Sequence, residues 1–561
     1  MAKENIRFFK IIPFSVVIAL ATVFYFLNNR DVYSSMLAVP IEGVPELTQK
    51  LFQKGEALYQ KQCLACHGEK GKGDGKAAYL LNPRPRDFTS GEFRLVSTID
   101  AGPTEEDLFK TITRGMPGSA MPSWTHLPEN ERWGLVYYVY YLMQYEKKMK
   151  NKKFRDEIAA GGLTWEKQKQ IITKEIPPES IIQAPAEPPP AAEGIARGRQ
   201  LYLTSCAGCH GQEGKGDGQQ EMINTDGTPT RPRDLTRGLF KGYPTSKDLY
   251  FRMMAGLPGS PMPSYQYSLT QEEIWDIIHY VQSLSDPEKE KRALAPHHQI
   301  QAKKFDAGAG LDLESKVWET LTPVYISLTP LWWRDDRVEG VEVKAARNEK
   351  EMAVWLRWND RSADDAVTAP QLFSDGAAIQ FSEEKDPPFF AMGDGEYPVT
   401  IWNWKASWQA EQSEWPDIEK RYPNAAVDWY PDDQNYNFQG APFEISHSKT
   451  EDHDRLYLTG QEAGNIFSDV NRQVAAEEAK AKGFGSLTTM HPMFDKVAAN
   501  GVWRDGAWTV VFKRNLKPGE EGRIRFAHGS FNIAFAVWDG AHRDRNGQKM
   551  VSIWNELIVE K

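Results

Sequence analysis

One five-residue pattern constrains this chain more than any other, and it occurs twice. Cys63-Leu64-Ala65-Cys66-His67 and Cys206-Ala207-Gly208-Cys209-His210 both read C-x-x-C-H, the attachment signature of a c-type haem. Two thiols at this spacing can each add to a porphyrin vinyl group, and the next residue sets an imidazole beneath the iron. These motifs use all four cysteines of the chain, so no thiol remains for a disulfide or for nucleophilic catalysis. A zinc site needs four ligands, and each motif offers three. A redox C-x-x-C has no need of the histidine. Cys63, Cys66, Cys206 and Cys209 are therefore the expected covalent anchors of two haem c groups. His67 and His210 are the expected proximal ligands.

The flanks repeat as well. Gly198-Arg199-Gln200-Leu201-Tyr202 matches Gly55-Glu56-Ala57-Leu58-Tyr59, and Arg231-Pro232-Arg233-Asp234-Leu235 matches Arg84-Pro85-Arg86-Asp87-Phe88. Trp275, Tyr280 and Leu284 match Trp133, Tyr138 and Leu142. Helical spacing of apolar residues over Pro45–Gln62 and from about Glu129 to Tyr145 frames the first copy. A capping box, Thr270 with Glu273, opens the last helix of the second. The chain thus duplicates one helical haem unit, over 45–150 and 194–286. Both copies resemble class I cytochrome c from first helix to last.

The repeat also selects a second axial ligand. Gly115-Met116-Pro117-Gly118-Ser119-Ala120-Met121-Pro122-Ser123-Trp124 aligns with Gly256-Leu257-Pro258-Gly259-Ser260-Pro261-Met262-Pro263-Ser264-Tyr265. Met116 faces a leucine, whereas Met121 faces Met262. A thioether opposite histidine raises the iron potential and suits electron transfer. Met121 and Met262 are the expected ligands, against core filling by methionine and against the rival sulfurs of Met253 and Met254. Arg84, Arg86, Arg231 and Arg233 offer partners for haem propionates or for surface carboxylates. Gly71-Lys72-Gly73-Asp74-Gly75 looks like a phosphate loop but lacks the preceding strand and the terminal Gly-Lys-Ser/Thr. A tight loop over the haem edge is expected there.

Outside the haem units the composition shifts. Residues 1–30 carry Lys3, Arg7 and Lys10 ahead of an apolar run from Ile11 to Leu27, about 26 Å as a helix and enough for a short membrane span. No small-x-small cleavage pattern follows directly, so an uncleaved transmembrane signal anchor is expected. The leading positive charges put the N-terminus in the cytoplasm. The haem units would then sit on the periplasmic side of the cytoplasmic membrane. Residues 151–193 read as a connector, with a helix over Ile158–Ile172 and an extended Pro/Ala-rich spacer over Pro177–Ala192. Residues 287–316 read as a charged linker, with His297-His298 as a solvated pair.

Residues 317–561 hold fourteen of the eighteen tryptophans. Alternation replaces helical spacing in Val354/Leu356/Trp358, Trp508/Val510/Phe512 and Phe531/Ile533/Phe535/Val537. An all-β sandwich is expected, with a short helical insertion at Ala475–Lys482. Trp402, Trp404 and Trp408 are candidates to stack on a glycan. Read from its residues alone, this region offers His528 as a haem ligand.

Several stretches of this region are similar to the haem b-binding γ subunit of ethylbenzene dehydrogenase. They are Trp358-Asn359-Asp360, Pro398-Val399-Thr400-Ile401-Trp402-Asn403-Trp404, Phe535-Ala536-Val537-Trp538-Asp539-Gly540-Ala541 and Arg545-Asn546-Gly547-Gln548-Lys549. Related domains occur in selenate reductase, chlorate reductase and nitrite oxidoreductase. The resemblance implies a β-sandwich holding one haem b between a methionine and a lysine, here Met392 and Lys549. Neutral lysine is the ligating form, and burial in an apolar pocket moves its pKa that way. Two features depart from the stand-alone γ subunit: the di-haem fusion and the anchor.

The resemblance implies an electron-transfer subunit with two haem c and one haem b. It would join the iron–sulfur and molybdenum subunits of a dimethyl sulfoxide reductase-family complex, with nitrite oxidoreductase as the preferred parent, and exchange electrons with a membrane or soluble carrier. The competing reading is a di-haem cytochrome with a sugar- or surface-binding β domain. A haem peroxidase needs an open iron position, which Met121 and Met262 would close. A formal charge of −10 argues against nucleic acid as a partner. No catalytic residue of the chain's own is expected.

Overall fold

A polar side chain caps several of the helices where backbone N–H groups would otherwise go unpaired. Thr48 accepts from Leu51 N ahead of α1 (Gln49–Gln62). After α2 (Leu64–His67), Thr104 and Asp107 form a capping box on α3 (Glu105–Arg114), and α4 spans Glu129–Met149. Such caps are each worth about 1 kcal/mol. The computed structural model describes residues 43–286, 297–413, 422–424, 465–466, 472–490, 496–519 and 523–561. The expected anchor, residues 1–30, and the charged run 287–296 lie outside the described residues. Among the described residues no helix is long and apolar enough to cross a membrane.

The first helical unit is closed by α1 crossing α4 at a glycine contact. A Cβ on Gly55 would lie 2.0 Å from Gly134 O. The second unit repeats this with α7 (Ala192–Ser205), α8 (Ala207–His210), α9 (Ser246–Ala255) and α10 (Gln271–Leu284). A Cβ on Gly198 would lie 2.0 Å from Asp276 O. Aromatic rings fill both crossings: Tyr59 against Tyr138, and Tyr202 against Tyr280 at 5.2 Å.

The connector differs from its expected form. The single helix over Ile158–Ile172 is two helices, α5 (Lys152–Gly161) and α6 (Trp165–Ile172), broken where Gly162 takes φ 74°. Trp165 packs 5.9 Å from Phe52, and Ile171 and Ile172 are buried, so α6 joins the first core. The extended spacer is strapped to the first unit by Ile182 N donating to Ser97 O (2.9 Å). It touches the second where His279 Nε2 lies 3.0 Å from Glu187.

A two-stranded ribbon, β1 (Met222–Ile223) with β2 (Pro229–Thr230), belongs to the second helical unit. The C-terminal strands are β3 (Gln299–Lys304), β4 (Val324–Ser327), β5 (Thr329–Pro330), β6 (Gly340–Arg347), β7 (Glu351–Asn359), β8 (Gly376–Ser382), β9 (Val399–Lys405), β10 (Ala476–Ala481), β11 (Thr488–Thr489), β12 (Ala498–Arg504), β13 (Ala507–Asn515), β14 (Gly529–Trp538), β15 (Met550–Val551) and β16 (Asn555–Val559). They form one continuous sheet in the order β11-β10-β9-β8-β14-β16-β3-β6-β7-β13-β12. The sheet curls so that its two halves share a core. Trp404 of β9 meets Trp508 of β13 at 5.1 Å, and Phe381 of β8 meets Trp402 at 4.8 Å.

Four expectations change here. β3 lies inside the expected linker 287–316, yet it pairs in parallel with both β16 and β6, so the sheet begins earlier in the chain. The His pair is anchored: His297 Nδ1 meets Trp554 O at 2.9 Å, and His298 N donates to Asn555 Oδ1 at 3.0 Å. Ala475–Lys482 is not a helix. Its alanines and glutamates favour a helix, but β10 pairs with six residues of β9, and the buried Glu478 is held by Arg514 and Arg523. Trp402, Trp404 and Trp408 are 0%, 0% and 3% exposed, so none has a face free to stack on a sugar.

Buried carboxylates gather beside the tryptophan core. The carboxylate oxygens of Asp360, Asp364 and Asp375 lie within 4.8 Å of one another. Asp375 accepts from Asp364 N, Trp508 Nε1 and Gly540 N. Burial, and then the charge of Asp539, push Asp360 up to about 7. Burial, and then Asp360, push Asp375 up to about 8.

Two predictions follow from this architecture. Gly55→Ala and Gly198→Ala each overfill a helix crossing and lower stability by about 1–3 kcal/mol, read as a fall in the thermal midpoint. For Asp360 the folded pKa lies above the unfolded one, so its favourable contribution is complete below 3.8 and lost as pH rises through about 7. Asp360→Asn removes that loss. Its stability gain over the wild type grows to a few kcal/mol between those pH values and is level above them. An equal difference in thermal midpoint at pH 5 and pH 8 would show that Asp360 stays ionised throughout.

Candidate functional site

The cysteine motifs sit at the C-terminal ends of α1 and α7. Cys63 and Cys206 cap those helices, and the chain turns at once into the single turns α2 and α8. The local geometry repeats bond for bond. His67 N donates to Cys63 O and His210 N to Cys206 O, each at 2.9 Å. Tyr59 Oη donates to Gly68 O (2.7 Å), and Tyr202 Oη to Gly211 O (2.8 Å). The glycine loops fold back on the motif instead of covering a pocket edge. Gly73 N reaches His67 O, and Gly216 N reaches His210 O. The expected placement of Gly71–Gly75 over the haem edge is thus replaced by a brace behind the histidine.

Each motif lines an apolar pocket that is also lined by a methionine. Cys63, Cys66 and His67 share the first pocket with Met121, Pro122 and Trp124. Cys206, Cys209 and His210 share the second with Met262, Pro263 and Tyr265. The methionine loops are near copies. Met116 N donates to Met121 O (3.0 Å), and Leu257 N to Met262 O (3.2 Å). Gly115 (φ 70°) and Gly256 (φ 69°) leave no room for a side chain against Pro122 and Pro263. Met116 also lines the first pocket and Met253 the second, whereas Met254 lines neither.

The electrostatics fit a metal-bound porphyrin. Burial pushes the His67 and His210 imidazoles down to about 4, which keeps them in the neutral form that ligates iron. His67 Nδ1 lies 3.3 Å from Arg86 O. A carbonyl can only accept, so Nδ1 carries the proton and Nε2 keeps its lone pair. His210 Nδ1 is buried without a hydrogen-bond partner. Burial pushes the Cys63 thiol up to about 12, and Cys66 and Cys206 up to about 11. These are not activated thiolates.

A third constellation lies on the sheet. Met392 (φ 72°) follows Phe389 and Phe390, and its turn is clamped by Gln380, which donates to Phe390 O (2.8 Å) and accepts from Met392 N (3.2 Å). Met392, Ala536, Trp538 and Trp554 pack on an apolar patch of Ala378, Val399, Ile401 and Ala481. Lys549 Nζ stands 4.7 Å from the centre of the Trp538 ring. Desolvation lowers its ammonium to about 8, toward the neutral form. A floor rich in alanine, flanked by a thioether and an easily neutralised amine, suits a flat apolar group. His528 is exposed and precedes the start of β14, whereas Trp538 ends that strand, so the structure separates His528 from this patch.

The three constellations are contiguous. Phe389 lines the first haem-motif pocket. Leu331 N donates to Lys549 O, while Asn82 N donates to Leu331 O, at 3.1 and 3.0 Å. Lys61 pairs with Asp386. Two basic residues that the motif reading passed over, Arg94 and Lys241, line the first and second pockets. Their signal was in the repeat, because Phe93-Arg94 stands in register with Phe240-Lys241.

Comparisons with known proteins agree with this division. Residues 315–550 match the ethylbenzene dehydrogenase family. Residues 195–285 match cytochrome c, and residues 50–139 match cytochrome c oxidase, cbb3-type, subunit III. A haem subunit assigned to respiratory nitrate reductase in Haloferax mediterranei is 26% identical over 39% of this chain and 56% of its own length. The dimethylsulfide dehydrogenase γ subunit of Rhodovulum sulfidophilum is 28% identical over 43% of this chain and 68% of its own. The chlorate reductase γ subunit of Ideonella dechloratans is 26% identical over 39% and 64%. The chain thus spans between 56% and 68% of the length of these relatives.

Proposed function

Starting from two cytochrome c domains followed by a domain of the ethylbenzene dehydrogenase family, we propose that this chain is a three-haem electron-transfer subunit. His67 with Met121, and His210 with Met262, would hold the irons of two covalent haem c groups. Met392 with Lys549 would hold one non-covalent haem b. Haem at such sites supplies one-electron exchange. The chain's own residues would hold each iron and surround the group with apolar side chains.

The observation that carries this reading is contiguity. Phe389 stands in the wall of the first cysteine pocket, three residues before Met392. The backbone of Lys549 is linked through Leu331 to Asn82. Three sites in a row make a relay. An enzyme that binds its own substrate would need an accessible ligand position on one iron.

The names of the relatives point to the setting. Subunits of dimethylsulfide dehydrogenase and chlorate reductase support a place beside iron–sulfur and molybdenum subunits in a dimethyl sulfoxide reductase-family complex. Nitrite oxidoreductase is our preferred parent, because an anchored multi-haem γ-like subunit suits it. The apolar run Ile11–Leu27 would anchor the chain in the cytoplasmic membrane with its N-terminus inside. The haem domains would then face the periplasm, within reach of a membrane or soluble carrier.

Acid–acetone extraction followed by a pyridine haemochrome assay tests the count. The expected result is two covalent haems per chain and one extractable haem b, with the extractable haem lost in Lys549→Ala. Covalent haem alone in the wild type would remove the β domain from the relay. Met121→Ala and Met262→Ala are each expected to lower the midpoint potential of one covalent haem and open it to carbon monoxide. Unchanged potentials in both would pass ligation to Met116 or Met253.

A further inference from the structure

The two cysteine pockets meet at a cluster of cations, Arg233 buried and Arg86, Arg94 and Lys241 half-buried. Arg86 and Arg94 line the first pocket, and Arg233 and Lys241 line the second. The four are two pairs of equivalent positions in the duplicated units: Arg86 with Arg233 and Arg94 with Lys241. Duplication therefore supplied the same two charges to each side of one interface.

Two of them reach across that interface. Arg94 Nη2 donates to Asn224 Oδ1 of the second unit at 3.0 Å. Arg233 Nη1 donates to Gly118 O of the first at 3.3 Å. Arg233 is also pinned from the third domain, its guanidinium 3.7 Å from the centre of the Trp333 ring. Beside them Thr225 Oγ1 donates to Glu92 of the first unit at 2.8 Å.

The cations are incompletely satisfied. The Nε atoms of Arg94 and Arg233 are buried with no hydrogen-bond partner. Asp226 and Glu92 face Arg86 and Arg94, Asp87 also faces Arg86, and Asp335 faces Arg233. No carboxylate offsets Lys241. Burial, then Arg233, Arg94 and Arg86, push its ammonium well below the ordinary lysine value. A cluster of like charges with orphaned donors in a low-dielectric interior is unfavourable unless an anion completes it.

We propose that Arg86, Arg94, Arg233 and Lys241 form one anion site shared by the two pockets, and that its ligands are the carboxylates of both haems. This rests on the reading that both pockets hold haem, and it goes beyond it. Each haem would then feel the same four charges. An iron gains an electron more readily near a cation, so removal of any one charge lowers the potential of both haems.

The test is a spectroelectrochemical titration of the full-length holoprotein and of Arg94→Gln and Lys241→Gln, which lie in different domains. Both covalent-haem waves are expected to move to lower potential in each variant. Lys241→Arg, which keeps the charge, is expected to restore both waves, which a merely structural role would not do. Movement of one wave alone in either variant, or of neither, overturns the shared site. Haem content separates the two levels of the argument. A wild-type chain without two covalent haems would defeat the haem reading itself, and with it this proposal. Two covalent haems with independent waves would defeat only the sharing.

Discussion

Two helix crossings carry the rest of this structure. In each cytochrome domain the first helix lies against the last so closely that a glycine, Gly55 or Gly198, leaves no room for a methyl group. Close approach maximises dispersion contacts and fixes where the first helix ends. That end is Cys63 or Cys206, so the crossing sets where two thiols and an imidazole enter the pocket. Polar atoms are then satisfied locally, by Tyr59 on Gly68 and Tyr202 on Gly211. The pockets that the motifs enter are lined mostly by apolar side chains.

The β domain does more than follow the cytochrome domains along the chain. Its Trp333 stacks on Arg233, its Phe389 lines the first pocket, and its Asp335 O and Glu339 both bind Arg237 of the second unit. Small, mixed contacts of this kind resemble interfaces between separate proteins, and a fused chain holds them at high effective concentration. The β interior accepts two arginines on a buried glutamate, Glu478. Such a triad adds little net stability but is costly to break, which favours one register of β10 over its alternatives.

Parts of this arrangement were legible in the residues because they are local. The motif spacing, the Met121/Met262 register and the alternation of Trp508, Val510 and Phe512 concern neighbours in sequence, and each has its counterpart in a loop or strand. The failures share a cause. Ala475–Lys482 looks helical because helix propensity is local, whereas its strand partner, β9, lies far back along the chain, Ala481 pairing with Val399. β3 was hidden in a linker because its partners, β16 and β6, are likewise remote. Met392 and Lys549 came only from resemblance. Neither stands out until Trp538 and the patch around Ala378 put them on one surface.

By itself, then, the sequence determined the chemistry on offer: two thiol pairs, each with its imidazole, a matched methionine for each, and a tryptophan-rich sheet. Covalent geometry and short-range periodicity are enough for that. Only the tertiary structure decided how these parts face one another: the sheet domain against the first pocket, and the first pocket against the second across four clustered cations. Those choices depend on burial and on charge brought together from distant positions. A desolvated charge acts strongly at short range in space, whatever its separation along the chain.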